Sequence, residues 1–195
     1  MATSEVEVVN RALDHLNAAP VVDLAADVEE ARRMRRAFPI ARDAVLRAYP
    51  WNCARRRVRL AADATAPVFG YGKQFPLPEG PLPLRCLRVL RVGDMPDHTG
   101  WRVEGRYLLT DEGGPLQIEY VGQLTDVAQW DALLVEAIAY RLAADVAWPM
   151  TGSESRRAAM MDGYRTARIE ARRIDAREQS QDEKVISDTW LTERF

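Results

Sequence analysis

Lysine is nearly missing from this chain. Of its 27 basic residues only Lys73 and Lys184 are lysine, and the other 25 are arginine. The planar guanidinium favours fixed, bidentate pairing at an interface over loose solvation; codon bias in a GC-rich genome would leave the same mark. Cysteine is scarce too. Cys53 and Cys86 stand alone, without CxxC spacing or a histidine-rich neighbourhood. This fits a reducing compartment, with both thiols serving as small apolar groups. Histidine is limited to His15 and His98, which gives no support to a Ser-His-Asp or Cys-His site. GxGxxG, GxxxxGK[ST], HExxH and GxSxG patterns are all missing. Neighbouring carboxylates such as Glu29 with Glu30, Asp111 with Glu112 and Asp182 with Glu183 fall at helix starts, turns or the tail, where solvation accounts for them. The expectation is a protein with no catalytic residues, no cofactor and no metal. The opening MATSEVEVV lacks a basic region followed by an apolar run, so no secretion signal is expected.

What is present reads as globular. With 195 residues, 47% hydrophobic and 29% charged, the chain suits one domain, or a domain with an insertion, and can bury a real core. A net charge of −2 supplies no global field toward nucleic acid or membrane. The organising stretch is 126–148, DVAQWDALLVEAIAYRLAADVAW. Asp126 and Gln129 form a start signal, Pro149 a stop, and apolar residues occupy most of the circumference between them. Such a helix must be enclosed. Its charges are too frequent for a membrane span.

Before it, Ser4 and Glu7 predict a capped helix with a stripe of Val6, Val9, Leu13 and Leu16, ended by Asn17 and Pro20. Asp27 with Glu30 predicts a second, striped by Met34, Phe38, Ala41, Val45 and Ala48, with a kink or break at Pro39. Arg32, Arg33, Arg35 and Arg36 mark a solvated or partner-facing side, with nucleic-acid contact the minority reading. Trp51 reads as a core anchor. Between Cys53 and Gly122, prolines and glycines concentrate and short apolar runs predict strands at 54–60, 84–92, 101–104, 107–110 and 116–121. The last two, joined by DEGG, suggest a hairpin with Leu116, Ile118 and Tyr120 on one face. Residues 67–83 look too rich in proline for regular structure. After the central helix, Thr151 and Glu154 suggest another capping box, and Met160, Tyr164, Ala167, Ala171 and Ile174 a narrow packing seam on an arginine-coated helix.

The predicted fold is therefore α+β and mainly α: a helical body from 1–52 and 126–178, an inserted antiparallel β-subdomain at 53–125, and an extended arm at 179–195. The arm ends in Val185, Ile186, Trp190, Leu191 and Phe195, apolar residues that call for a neighbouring subunit or other partner to cover them. On a strand, Arg55, Arg57 and Arg59 would share one side, facing phosphates or the carboxylates of another subunit.

Four stretches carry a resemblance. ARDAVLRAYPWNCARRR at 41–57, FPLPEGPLPLRCLRVLRV at 75–92, VEGRYLLTDEGGPLQIEYVG at 103–122 and LLVEAIAYRLAADVAWPMTGS at 133–153 come in one order. Together they resemble the tail tubular protein A family of short-tailed bacteriophages, the adaptor between portal and tail, over residues 4–178. Cys53 departs from the pattern, where an aromatic commonly follows Trp-Asn. The resemblance implies a virion protein at the head–tail junction, assembled in the bacterial host cytoplasm. It also implies a dodecameric ring below the portal protein, with a tail nozzle (tail tubular protein B-like) beneath. Double-stranded DNA would pass through its channel without specific binding, and there would be no catalysis and no membrane. A head–tail connector of a long-tailed phage or tail-like particle is the neighbouring alternative. An arginine-rich nucleic-acid-binding protein is the alternative of another class. Against the latter stand the slightly acidic total and the missing helix-turn-helix pattern.

Overall fold

The structure, a computed structural model, describes residues 4–90 and 100–179. It is α+β and mainly α. Four helices, α1 (Glu5–His15), α2 (Glu29–Ala48), α3 (Ala132–Thr151) and α4 (Glu154–Gln179), enclose one apolar cluster. Six strands, β1 (Arg55–Leu60), β2 (Lys73–Pro76), β3 (Pro83–Leu90), β4 (Trp101–Glu104), β5 (Tyr107–Thr110) and β6 (Leu116–Gly122), form two three-stranded antiparallel sheets.

The start of α1 is as the sequence dictates. Ser4 Oγ accepts from the Glu7 amide and Glu7 reaches back to the Ser4 amide at 2.8 Å. Asn17, at φ 54, turns the chain out of the helix. The start of α2 differs from expectation. Asp27 does not cap it; its carboxylate accepts from Arg32 at 2.6 Å, and the helix begins behind Val28, which has no side-chain acceptor to offer. Nor does Pro39 break it. Ala31, Met34, Phe38, Ala41 and Val45 are buried on both sides of the proline, and that packing outweighs one missing helical hydrogen bond.

The central helix is shorter at its start and longer at its end than its sequence signals suggest. Asp126 caps a separate 3-10 turn, Val127–Gln129, accepting from the Ala128 amide at 3.1 Å and from Gln129 Nε2 at 2.9 Å. Trp130 is then extended and buried, and Asp131 caps α3 through the Leu133 amide at 2.8 Å. Pro149 lies inside α3. Its carbonyl accepts from Arg33, and the helix stops only at Gly152, whose φ of 64 suits a residue without a side chain. Leu134, Ile138, Leu142 and Val146 are buried, as enclosure requires, whereas Trp148 is 55% exposed. Thr151 belongs to α3, its hydroxyl donating to the Ala147 carbonyl, so the expected Thr151–Glu154 box does not form. Ser153 caps α4 instead, accepting from the Arg156 amide at 3.2 Å.

Helices α3 and α4 run antiparallel in close contact. Arg141 lies over the Tyr164 ring, and a Cβ on Gly163 would come within 2.5 Å of the Tyr140 ring, so only glycine permits this approach. Of the expected seam, Tyr164 and Ala171 are buried and Met160 and Ala167 half-buried, while Ile174 is exposed.

The strand order overturns the expected hairpin. β5 lies between β2 and β4, and β6 lies between β1 and β3. Both strands have both edges occupied in different sheets, so they cannot pair with each other. The hairpin is β4–β5, turning at Gly105 with φ 57. β2 lies within the stretch expected to lack regular structure. Its proline, Pro76, ends an edge strand, where a missing amide costs no ladder bond. Leu116, Ile118 and Tyr120 do face one core, against Leu60, Val89, Phe75 and Leu108.

Two register shifts in β3 join this sandwich to the helices. Pro83 and Arg85 oppose Gly122 and Val121, and Cys86 and Arg88 oppose Tyr120 and Glu119. Each shift inserts one extra residue, Leu84 and then Leu87, and both leucines pack against the helical cluster. Arg47 at the end of α2 donates to the Leu84 carbonyl, and Gln123 donates to Asp43 at 2.7 Å. The sandwich is thus fixed to the C-terminal end of α2.

Candidate functional site

Residues of β1 meet β6 with Arg55 opposite Val121, Arg57 opposite Glu119 and Arg59 opposite Gln117. Cross-strand partners stand on one side of a sheet, so the three arginines do share a face, as the alternation predicts. They differ in surroundings. Arg55 is half-buried, pairs with Glu119 at 3.2 Å and donates to the Pro50 carbonyl. Arg57 and Arg59 are exposed.

Two further arginines on this face are not evident from the sequence. Arg85 and Arg88 are three residues apart, a spacing that puts side chains of a regular strand on opposite sides. The extra Leu87 resets the count, and the register places Arg85 opposite Val121 and Arg88 opposite Glu119. The combined face carries Arg55, Arg57, Arg59, Arg85 and Arg88 around one carboxylate, Glu119, which is 6% exposed. Among the described residues, Arg57, Arg59, Arg85 and Arg88 form no ion pair. Such a row offers bidentate donors to carboxylate or phosphate.

The remaining candidates have structural surroundings. His15 stacks on Tyr140 with centroids 3.9 Å apart, and its Nε2 lies 3.1 Å from Glu136, which also pairs with Arg11; the group ties α1 to α3. Cys53 and Cys86 are free thiols, half-buried in the helical and sandwich cores respectively. Burial pushes both up to about 11, with the Asp175 carboxylate a second cause at Cys53. Trp51 is the anchor its sequence suggests, its indole donating to the Val45 carbonyl at 3.0 Å. Beside it a cavity of about 250 Å³ opens between the 51–53 and 128–131 turns and the α3 and α4 residues Leu134, Ala171 and Ile174. Arg32 and Arg33 pair with Glu29, whereas Arg35 and Arg36 are exposed. Among the described residues no group of three or more metal-ligating side chains occurs, and no helix is long and apolar enough to cross a membrane. His98, the Gly93–Asp94 turn and the arm residues Val185, Ile186, Trp190, Leu191 and Phe195 lie outside the described residues.

No protein-family model matches the chain, and no curated protein matches it.

Proposed function

We propose that this protein is a structural adaptor of the tail tubular protein A kind. Copies form a ring, a dodecamer by resemblance, that joins the portal to the tail nozzle and lets double-stranded DNA pass. It catalyses nothing; its work is to be held and to hold. The observation that carries the reading is the row of exposed arginines, Arg57, Arg59, Arg85 and Arg88, on one sheet face, without an ion pair among the described residues. Water satisfies exposed guanidinium groups in a monomer; a subunit flanked by copies of itself replaces that water with bidentate carboxylates. The four stretches behind the resemblance add support. They fall on the α2–β1 joint, on β2 with β3, on β4 to β6, and on α3, the elements that build both cores.

The test is to mix the purified chain with portal rings and image the product by electron microscopy. A ring of copies seated on the portal is the expected result. Failure to join any portal, or turnover of a metabolite by the pure protein, overturns the reading. A connector of a long-tailed phage or tail-like particle would present similar surfaces, and the portal that accepts the chain distinguishes them. The arginine face also favours a second reading, a nucleic-acid-binding protein. Passage of DNA requires weak contact, so filter binding at physiological salt should show an affinity weaker than about micromolar, in the range of non-specific contact. Tighter binding favours the second reading.

A further inference from the structure

The final described helix ends beside the arginine face. Asp175, in the last turns of α4, accepts from the Asn52 amide at 3.0 Å, and Asn52 Nδ2 donates to the Asp175 carbonyl at 3.0 Å. Asn52 opens the short turn that leads into β1 at Arg55. From Asp175 to Gln179 is one helical turn, about 6 Å. The arm, 180–195, therefore starts roughly 20 Å from Arg55 or nearer. Extended, it reaches up to about 50 Å, whereas β1 runs about 17 Å.

Two surfaces of opposite sign flank this starting point. The cavity beside Trp51 is rimmed by Asp131, Asp175 and Glu178, and among the described residues no lysine or arginine lines it. After burial, the Asp175 carboxylate and, more weakly, that of Asp131 help to push the Cys53 thiol up there. The sheet face has the other sign. Arg57, Arg59, Arg85 and Arg88 are exposed without an ion pair among the described residues, and the carboxylate beside them, Glu119, is buried against Arg55. The last turns of α4 offer no such excess, since Arg172, Arg173 and Arg177 alternate with Glu170, Asp175 and Glu178. The arm carries Asp182, Glu183, Asp188 and Glu193 against Lys184 and Arg194. Like charge turns it from the cavity, and opposite charge draws it along β1.

We propose that the arm of the free chain lies across the chain's own arginine face, its carboxylates pairing with Arg57, Arg59, Arg85 and Arg88. The aliphatic stems of those arginines give Val185, Ile186 and Leu191 an apolar bed, and their guanidinium planes stack on Trp190 and Phe195. The excess charge of the face and the apolar residues of the arm thus cover each other. The inference deepens the adaptor reading and rests on it only for release: in a ring a neighbour's carboxylates take the place that the arm holds in the free chain.

The test uses the full chain at high dilution. Ser187→Cys is combined with Arg59→Cys in one chain, and with Ile169→Cys in a control chain. Ile169 is exposed and about 15 Å along α4 from Gln179, within reach of an arm residue eight positions further on. Under oxidised glutathione the first chain should form about tenfold more intrachain disulfide than the control, the excess that two or three exposed ion pairs would give. Salt at about 1 M should abolish the excess, because screening then acts within about 3 Å. Equal yields, or an excess that salt leaves intact, overturn the docking. So does a disulfide between copies in place of the intrachain bond, which would put the arm on a neighbour. Added to the first chain, Asp188→Lys with Glu193→Lys should lower the yield to that of the control, whereas Arg173→Glu with Arg177→Glu should leave it unchanged. The reverse result places the arm on α4 and overturns the proposal. The two readings fail separately. Rings that assemble on a portal from a chain with no excess of intrachain disulfide overturn the docking and leave the adaptor standing. A salt-sensitive link from arm to face in a protein that no portal captures overturns the adaptor and leaves the docking standing.

Discussion

In the helical cluster one element does the organising. α3 buries Leu134, Val135, Ile138, Leu142 and Val146 on several sides, and α1, α2 and α4 pack around it. In the sandwich β6 leads, with Leu116, Ile118 and Tyr120, but it packs only against strands brought from elsewhere in the chain. The buried residues of the sandwich are Leu60, Phe75, Val89, Leu108, Leu116, Ile118 and Tyr120, contributed by five different strands. Each helix presents its share of the core on one face, from residues three and four apart, so the helical core needs only a few long elements to meet. The sandwich core requires distant strands to meet, and each of its few side chains carries a larger share of the burial. The difference teaches where the molecule should yield first. Local opening belongs to the sandwich, and loss of the whole fold to the helices.

The largest effects come from truncating one side chain in each core. Phe75 is fully buried, and Phe75→Ala should cost about 3–5 kcal/mol. Leu142, equally buried in α3, should cost about 2–5 kcal/mol as Leu142→Ala. Hydrogen exchange distinguishes the consequences. Phe75→Ala should speed exchange in β5 and β6 while α3 amides keep their protection; Leu142→Ala should lower protection in both. Equal loss of protection everywhere in Phe75→Ala would make the two cores one cooperative unit and end the comparison.

A smaller effect measures how the cores are joined. Leu87 is the extra residue of the second register shift and packs, half-buried, on the helical cluster. Leu87→Ala should cost about 1–2 kcal/mol, roughly half of a fully buried truncation. It should also separate the urea transitions of near-ultraviolet and helical signals. If the transitions stay coincident and the loss is negligible, the leucine is not a coupling contact.

The same contrast explains what the sequence disclosed. Most of the stripes of α1, α2 and α4, most of the enclosure of α3 and the anchoring of Trp51 were legible because 3.6-residue periodicity is local; the stripes fail at their ends, where Val6 is only half-buried and Ala48 and Ile174 are exposed. Helix ends were less so: Asp126 and Asp131 are both competent caps, five residues apart, and the chain uses both, for different turns. Strand positions were legible from composition, but partners were not. Nothing in residues 107–121 reveals that β5 and β6 belong to different sheets, because that is decided by β1, β2, β3 and β4 taking their edges. Of the candidate site, the alternation of Arg55, Arg57 and Arg59 was visible. Arg85 and Arg88 were hidden, since only an inserted Leu87 puts a three-residue spacing on one face.

The smallest effect is the most selective, because each core holds one thiol. Cys53 packs on the helical cluster and Cys86 on the sandwich, and burial raises both to about 11. A raised thiol means that the folded state holds the proton more tightly than the unfolded chain. The stability this contributes is full below about pH 9 and is lost as pH climbs toward 11. At pH 8 the thiolate fraction in the folded protein should be about a hundredfold below that of the unfolded chain, so iodoacetamide should label both cysteines slowly. Labelling in the core variants then reports which cluster has opened. In Phe75→Ala, Cys86 should gain reactivity while Cys53 does not. Should both thiols react at one rate in that variant, the sandwich cannot open while the helices stay closed, and the arginine face on β1 and β3 would be as rigid as α3 itself.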